Sequence, residues 1–529
     1  MSNERNILII GAGKAGRLLM QDINTNVEGA HVIGFIDDQI PKAASIKHLG
    51  SIDELSKIAK IYQVDEMIIA IPSADGALIR RILMKSMKNR IPIRIVPRNL
   101  RVISKSDVKY SEVKPLETED FLGRPFIDKN IERLKKFYKG KTIFITGGAG
   151  SIGSEIVRQL VDLEAKKVVV YDNSEYLIFL LEQQLKERGM RDKCELIVGN
   201  ILHNNKLNAL FARIKPDIVF HAAAYKHVHL MQDNIDEAVY NNVIGTKRVI
   251  DAAMQNGVKL FTFISTDKVV NPTSIMGATK KLCEYYIQCL KSKTTKFNIV
   301  RFGNVINSNG SALPLFERQM VLHKYVTVTH KDMQRFFMSI REASSLVIES
   351  TAEGKSDSIH ILNMGELINI YEVAMCLIRS KDLIPEGDVE MRIMGLRKGE
   401  KMIEELYTEA EEGEMVRTKS GRIFSLKNHA VCPVDIIAIL SEFEELVKSA
   451  RVGLVTGNPE SRMGKLADVL VRIAAPSKTK AVEGLISIQP MTTLNEQSLG
   501  IFFDALVLDL MEKMEETHDS MWARHSNLE

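Results

Sequence analysis

Short apolar runs closed by glycine, aspartate or proline alternate with helical patterns over much of the chain, as strands of a parallel sheet joined by helices would. Residues 6–10 (NILII) lead into Gly11-Ala-Gly13-Lys-Ala-Gly16, a helical stretch follows, and HVIGFIDD ends on Asp37 and Asp38. That is a complete βαβ fingerprint. The runs DEMIIAIPS near 65–73 and IPIRIVP at 91–97 continue the alternation and predict a first domain over 1–103. From 104 to 140 the sequence is polar and charged, with Pro115, Gly123 and Pro125, and reads as a connecting segment.

A second fingerprint opens with KTIFIT at 141–146, then Gly147-Gly-Ala-Gly150-Ser151-Ile152-Gly153, a helix, and the strand KVVVY ending at Asp172. Further runs at DIVFHAAA (217–224), LFTFIST (260–266) and FNIVRFGNV (297–305) extend it to a doubly wound sheet. From 313 to 440 the elements shorten and charges multiply, as in a small substrate lobe, so 141–440 is expected to form one domain. Near 450 the pattern changes again and predicts a partial α/β unit over 451–529. The expected class is therefore α/β, with two Rossmann-like doubly wound parallel-sheet domains, a substrate lobe and a C-terminal partial unit.

Composition narrows the function. The 529 residues are 45% hydrophobic and 26% charged, which excludes a disordered or fibrous chain. Lys plus Arg number 71 against 67 Asp plus Glu, a net +4 that supplies no basic stripe for a phosphate backbone, so no nucleic-acid partner is expected. Five cysteines lie far apart without a C-x-x-C pair, which is neither a disulfide framework nor a zinc ligand set. The N-terminus is a strand pattern rather than a signal peptide, and no apolar run reaches the ~18 residues of a membrane span. A cytoplasmic protein with no integral membrane segment is the expectation.

Three glycines at these spacings permit a tight turn, close backbone approach to a pyrophosphate, and packing of helix on strand. Asp172, 19 residues beyond Gly153, can accept from a ribose 2′-hydroxyl and would repel a 2′-phosphate, so NAD is favoured over NADP. The same holds for Asp37. Nothing catalytic follows the strands of the first domain, which leaves it as either a nucleotide-binding or a docking and oligomerisation domain.

The second fingerprint, HAAAYKHV (221–228), NNVIGT (241–246), STDKVVNPTSIMGATK (265–280), RFGNV (301–305), RFFM (335–338) and GLRKGEK (395–401) together resemble nucleotide-sugar 4,6-dehydratases of the extended short-chain dehydrogenase/reductase superfamily. The resemblance covers about 1–440 and points to the UDP-N-acetylglucosamine 4,6-dehydratase group of surface-glycan biosynthesis. It implies NAD, recycled at each turnover and held by Gly147, Gly150, Ser151, Ile152, Gly153, Asp172, Asn200, Ala222, Ala223 and Lys280. It further implies that Thr266 contacts the C4 hydroxyl, Asp267 is the acid at the C6 oxygen and Lys268 the base at C5.

The superfamily's usual Tyr-x-x-x-Lys here carries Met276 at the tyrosine position, with Lys280 retained. A thioether cannot exchange a proton, and the larger dehydratases resemble this chain in having methionine there, so another group takes that step. The resemblance also gives Arg335 and Arg397 to the diphosphate, Glu400 to the nucleoside and Asn304 to the sugar or diphosphate, with Lys226 beside the substrate. The chain departs from the family at His229, Gln232 and Asn200. Alternatives are a UDP-sugar 4-epimerase, which has no use for an acid and base aimed at C6 and C5, or a non-catalytic binding protein.

Residues 451–529 resemble the back half of 6-phospho-3-hexuloisomerases, of sugar-isomerase fold, with Glu496 and His525 as the acid/base candidates. The front half of that fold, with its phosphate loop, is missing. An interaction role is expected in place of isomerase activity, and the whole chain is expected to form a homo-oligomer.

Overall fold

The computed structural model describes residues 5–39, 47–97, 108–123, 131–290, 292–353, 358–418, 420–427, 436, 440–441 and the strands Gly453–Thr456 and Val469–Arg472. Of these, residues within Met1–Asp128, Asn304–Glu342 and Met364–Leu396 pack as one unit, and those within Lys129–Gly303, Ala343–Asn363 and Arg397–Glu529 as a second.

Unit one holds a six-stranded sheet of β1 (Arg5–Ile10), β2 (Ala30–Ile36), β3 (His48–Gly50), β4 (Glu66–Ile69), β5 (Ile93–Ile95) and β6 (Lys114–Pro115). Its order is β3-β2-β1-β4-β5-β6, parallel except for the β5–β6 pair. Ile7, Leu8, Ile9 and Ile10 are all fully buried, because helices cover both faces of a parallel sheet and the central strand must be apolar throughout.

Two expectations are corrected here. The segment 104–140 is more than a connection: it adds β6 to the sheet edge, where proline costs no ladder bond, and buries Leu116, Phe121 and Leu122. Farther along it the helix Ile131–Tyr138 belongs to unit two, where Tyr138 donates to the Ile348 carbonyl at 2.7 Å. Its average composition is polar, yet Leu116, Phe121, Leu122, Leu134 and Tyr138 are buried.

The second correction concerns the lobe, much of which packs in unit one and not with the second sheet. Ile79, Ile82 and Leu83 of the helix Gly76–Lys85 share a core with Val373, Ala374 and Leu377 of the helix Ile370–Ser380. Polar contacts fix the same join. The buried Arg379 donates to the Ser86 carbonyl and hydroxyl at 3.2 Å, and Arg94 meets Asp382 at 2.9 Å.

Unit two is built on β7 (Thr142–Thr146), β8 (Lys167–Asp172), β9 (Cys194–Val198), β10 (Ile218–His221), β11 (Leu260–Ile264) and β12 (Lys296–Arg301). Ser358–Leu362 extends the parallel sheet beyond β12, and Ile423–Lys427 and Val416–Arg417 close that edge antiparallel. The order from there is β12-β11-β10-β7-β8-β9, so the chain leaves β7 in opposite directions. Cys194, Cys283 and Cys376 are buried thiols, while Cys289 is disulfide-bonded, of which the spacing of cysteines gave no sign. At the C-terminal end, Gly453–Thr456 and Val469–Arg472 pair in parallel; Glu496 and His525 lie outside the described residues.

Candidate active site

Ligands of doubly wound sheets bind at the carboxyl ends of the strands, where the strand order reverses. In unit two that point is β7, and the glycine segment links it to the helix Ser151–Asp162. Asp172, buried at the end of β8, accepts the Ala149 and Ser174 N–H groups, each at 3.0 Å. A cavity of about 120 Å³ opens between Gly147, Asp172, Asn200, Ala222, Ala223 and Asn241. The Asn200 side chain accepts from Leu202 N–H at 2.9 Å, and the Tyr171 hydroxyl donates to the Asn200 carbonyl at 2.8 Å, which fixes the loop after β9. Ser151 and Ile152 form the first turn of the helix, whose free N–H groups suit a diphosphate. A glycine cradle, a helix N-terminus and a carboxylate at the next strand end fit NAD.

Beneath the cavity His221 is fully buried between two hydroxyls, with Thr146 at 2.6 Å and Thr246 at 2.8 Å. Burial holds it well below the ordinary imidazole range, and Lys280 pushes it the same way. A neutral ring with both nitrogens satisfied is structural. Asn242 lies in a π-helical turn, Tyr240–Ile244, a geometry that recurs at functional sites. Its amide accepts from Tyr225 N–H at 2.8 Å and donates to the Tyr225 carbonyl at 3.0 Å and the Thr279 hydroxyl at 3.2 Å. The loop after β10 is thereby tied to the helix Ile275–Cys289. On that loop burial pushes the Lys226 ammonium below its usual value; His227 is lowered by burial and then by Lys226 and His229.

The Thr266-Asp267-Lys268 segment follows β11 and is held by main-chain bonds that continue the β11–β12 ladder: Ser265 N–H to Val300 and Asp267 N–H to Phe302. Asp267 is fully buried, and its Oδ1 receives both the Thr266 hydroxyl at 2.8 Å and Lys268 Nζ at 2.9 Å. Its Oδ2 is buried with no hydrogen-bond partner among the described residues.

The helix Ile275–Cys289 starts close by, capped by Ser274 accepting from Gly277 N–H at 3.1 Å. A side chain at Gly277 would place its Cβ 2.3 Å from the Lys268 carbonyl, so only glycine permits this approach. Met276 and Lys280, four residues apart, share one helix face. Met276 is buried against Met231, Ala238 and Ile275. Lys280 Nζ lies 3.8 Å from the Phe263 ring centroid, and burial pushes its ammonium down to about 8.

Two features have no motif of their own in the sequence. Glu404, 4% exposed, brings Oε1 to 3.7 Å from Lys268 Nζ, and Lys401 Nζ anchors that segment to the Val270 carbonyl at 2.8 Å. Ser265 donates to Glu284 at 2.6 Å, and Glu284 binds the fully buried Arg301 through both oxygens, which in turn meets Glu411 at 2.9 Å. Burial raises the Glu284 carboxyl, but Arg301, Lys281 and Ser265 outweigh it and hold it below the usual range. These links fix the loop to the helix that carries Met276 and Lys280.

The substrate-binding candidates divide between the units. Arg397 and Glu400, in unit two, close a turn in which Glu400 N–H donates to the Arg397 carbonyl at 3.1 Å. Asn304 and Arg335, in unit one, lie on the parallel strands Asn304–Val305 and Gln334–Met338, with Arg335 buried.

A doubly wound α/β sheet with a glycine cradle and a Thr-Asp-Lys loop facing a Met-x-x-x-Lys helix defines a Rossmann-fold protein of the short-chain dehydrogenase/reductase kind. Residues 143–427 match the family model described as polysaccharide biosynthesis protein, and the chain belongs to that family. Residues 1–97 match a model described as CoA-binding domain. The chain is 34% identical over 413 residues to the capsular polysaccharide biosynthesis protein CapD of Staphylococcus aureus, across 76% of this chain and 69% of that protein. It is 30% identical over 273 residues to the UDP-N-acetylglucosamine 4,6-dehydratase (inverting) of Campylobacter jejuni, across 50% of this chain and 77% of that one. The X-ray structure of Pen from Bacillus thuringiensis is similar with a TM-score of 0.52 at 33% identity, over 56% of this chain and 91% of that chain. Among the described residues no helix is long and apolar enough to cross a membrane.

Proposed function

We propose that unit two carries a nucleotide-sugar 4,6-dehydratase centre, that its substrate is UDP-N-acetylglucosamine, and that the product is a UDP-4-keto-6-deoxy-N-acetylhexosamine for surface-glycan synthesis. The observation that carries this reading is the Asp267 carboxyl: one oxygen is engaged by Thr266 and Lys268, and the other is buried and unengaged. A pure C4 oxidation and reduction has no use for such a group. The name of the Campylobacter relative supports the same chemistry, and that of the CapD relative supports a part in capsular polysaccharide biosynthesis.

When bound, NAD supplies a hydride acceptor at C4 that returns the hydride to C6. Thr266 accepts a hydrogen bond from the C4 hydroxyl and donates its own to Asp267, so the proton lost at C4 is relayed through Thr266 to the Asp267 carboxylate while the Lys280 charge favours the alkoxide. The C4 ketone acidifies the hydrogen on C5, which Lys268 removes. Asp267 gives its proton to the C6 oxygen, which departs as water, and Lys268 then returns a proton to C5. Met276 excludes water and moves no proton. Of the substrate-binding residues that the resemblance gives, Lys226, Arg397 and Glu400 lie in unit two and keep those roles in this proposal.

Incubation of the purified full chain with UDP-N-acetylglucosamine in deuterated water, followed by mass spectrometry of the sugar nucleotide, tests the proposal. Loss of water with solvent deuterium at C5 is expected. An isomer of unchanged composition would make the protein a 4-epimerase, and unaltered substrate would leave it a binding protein.

A further inference from the structure

A second cavity, larger than the one beside Asp172, lies in unit one. It measures about 420 Å³ and sits at the carboxyl ends of β1, β2 and β4, where the strand order of that sheet reverses. Gly11, Gly13 and Lys14 form one wall, Asp37 and Asp38 another, and Ile71 and Leu78 are among the apolar residues between them.

The three glycines of this fingerprint differ in what the fold needs from them. A Cβ on Gly16 would lie 2.0 Å from the Gly11 carbonyl oxygen, and one on Gly11 would lie 2.5 Å from Ile71, so packing requires both. Gly13 is different. Its backbone is extended (φ −69°, ψ −170°), a conformation open to any residue, and a Cβ there would meet nothing within 4 Å. Neither strain nor packing calls for glycine; the missing side chain only leaves the cavity open where helix N–H groups begin. The second fingerprint repeats the division. A Cβ on Gly153 would lie 2.2 Å from the Gly147 carbonyl oxygen, whereas Gly150 is extended (φ −68°, ψ 174°) and a Cβ there would meet only that same oxygen, at 3.3 Å. Asp37 accepts the Ala12 N–H at 2.8 Å just as Asp172 accepts the Ala149 N–H at 3.0 Å.

We propose that unit one holds a second nucleotide site, for a nucleoside diphosphate or dinucleotide whose ribose hydroxyls are both free. The diphosphate lies over Gly13 and the first turn of the helix Lys14–Asn26, beside Lys14, and the ribose diol meets Asp37. Charge decides the ribose end. Asp37 and Asp38 line it, and the nearby cations Arg81 and Lys85 are engaged by Asp38 and Asp53 at 2.6 to 2.8 Å. A 2′- or 3′-phosphate there would face carboxylates, and like charges brought together cost binding. The site therefore rejects NADP and also CoA, whose adenosine carries a 3′-phosphate, against the description of the family model that residues 1–97 match.

Bound nucleotide, not turnover, is the readout, so the outcome is independent of the catalytic proposal. Equilibrium dialysis of the full wild-type chain should give two equivalents of NAD. A Gly150→Val chain, shown by circular dichroism to be folded, should retain one equivalent of NAD or ADP and lose it when Gly13→Val is added. On that Gly150→Val chain CoA and NADP should bind roughly tenfold or more weakly than ADP, and Asp37→Asn should narrow the gap. Displacement of ADP by UDP-N-acetylglucosamine would assign the site to sugar nucleotides, and its failure to displace would assign it to adenine nucleotides. Absence of both bound NAD and bound ADP on the folded Gly150→Val chain, or CoA binding as tightly as ADP, would overturn the proposal.

Discussion

Lys268 Nζ lies 2.9 Å from Asp267 Oδ1, the same oxygen that receives the Thr266 hydroxyl, so both donors converge on one side of a fully buried carboxyl. The opposite oxygen, Oδ2, has no hydrogen-bond partner among the described residues. In the proposed mechanism Oδ2 is the oxygen left for the C6 hydroxyl, so the proposed acid and base, adjacent in sequence, present different atoms.

Asp267→Asn keeps the shape of the side chain and removes the transferable proton. Dehydration should fall by roughly 10²–10⁴-fold, the usual weight of a general acid, while the NAD content of the purified protein stays as in wild type. Turnover within a few fold of wild type would remove Asp267 from the mechanism.

Lys280 gives a pH dependence. Its ammonium, pushed down to about 8 by burial, is the form that favours the C4 alkoxide. The charged fraction falls as pH rises through that value, so kcat/KM should decline on the alkaline side with an apparent pKa near 8. In Lys280→Arg the guanidinium stays charged, and the decline should move to higher pH even if the plateau is lower. An unmoved alkaline limb would assign it to another group.

Met276 is buried among apolar side chains, and the proposed mechanism gives it no part beyond excluding water. Met276→Leu conserves volume and should cost less than about 1.5 kcal/mol of stability, with turnover close to wild type. A hundredfold loss measured on folded protein would instead give the thioether a chemical part.

Glu284→Gln removes one charge from a pair that is fully buried on both sides. Arg301 would keep Glu411, so the cost should fall near the lower end of the about 3–5 kcal/mol that breaking a buried pair carries. The thermal midpoint should fall by on the order of 10 °C. Because Ser265 also bonds Glu284, turnover of the folded variant should drop without loss of bound NAD.

The amino-acid sequence by itself determined the elements whose physics is local. A β-branched run followed by spaced glycines must form a strand, a tight turn and a helix, and the runs at 6–10, 141–146 and 217–224 became β1, β7 and β10 within a few residues. The Thr266-Asp267-Lys268 segment, Met276 and Lys280 were legible through the family resemblance that their motifs carry. Tertiary structure alone decided the rest. Nothing near Arg379 reveals that its guanidinium donates to the carbonyls of Ser86 and Ile91, or that the helix bearing it packs in the N-terminal unit. Glu404 reaches Lys268 across 136 positions of sequence, and Arg301 finds Glu284 and Glu411 in the same way. Periodicity says which face of an element is buried, but the partner that covers it is chosen by shape and charge among residues far apart in the chain.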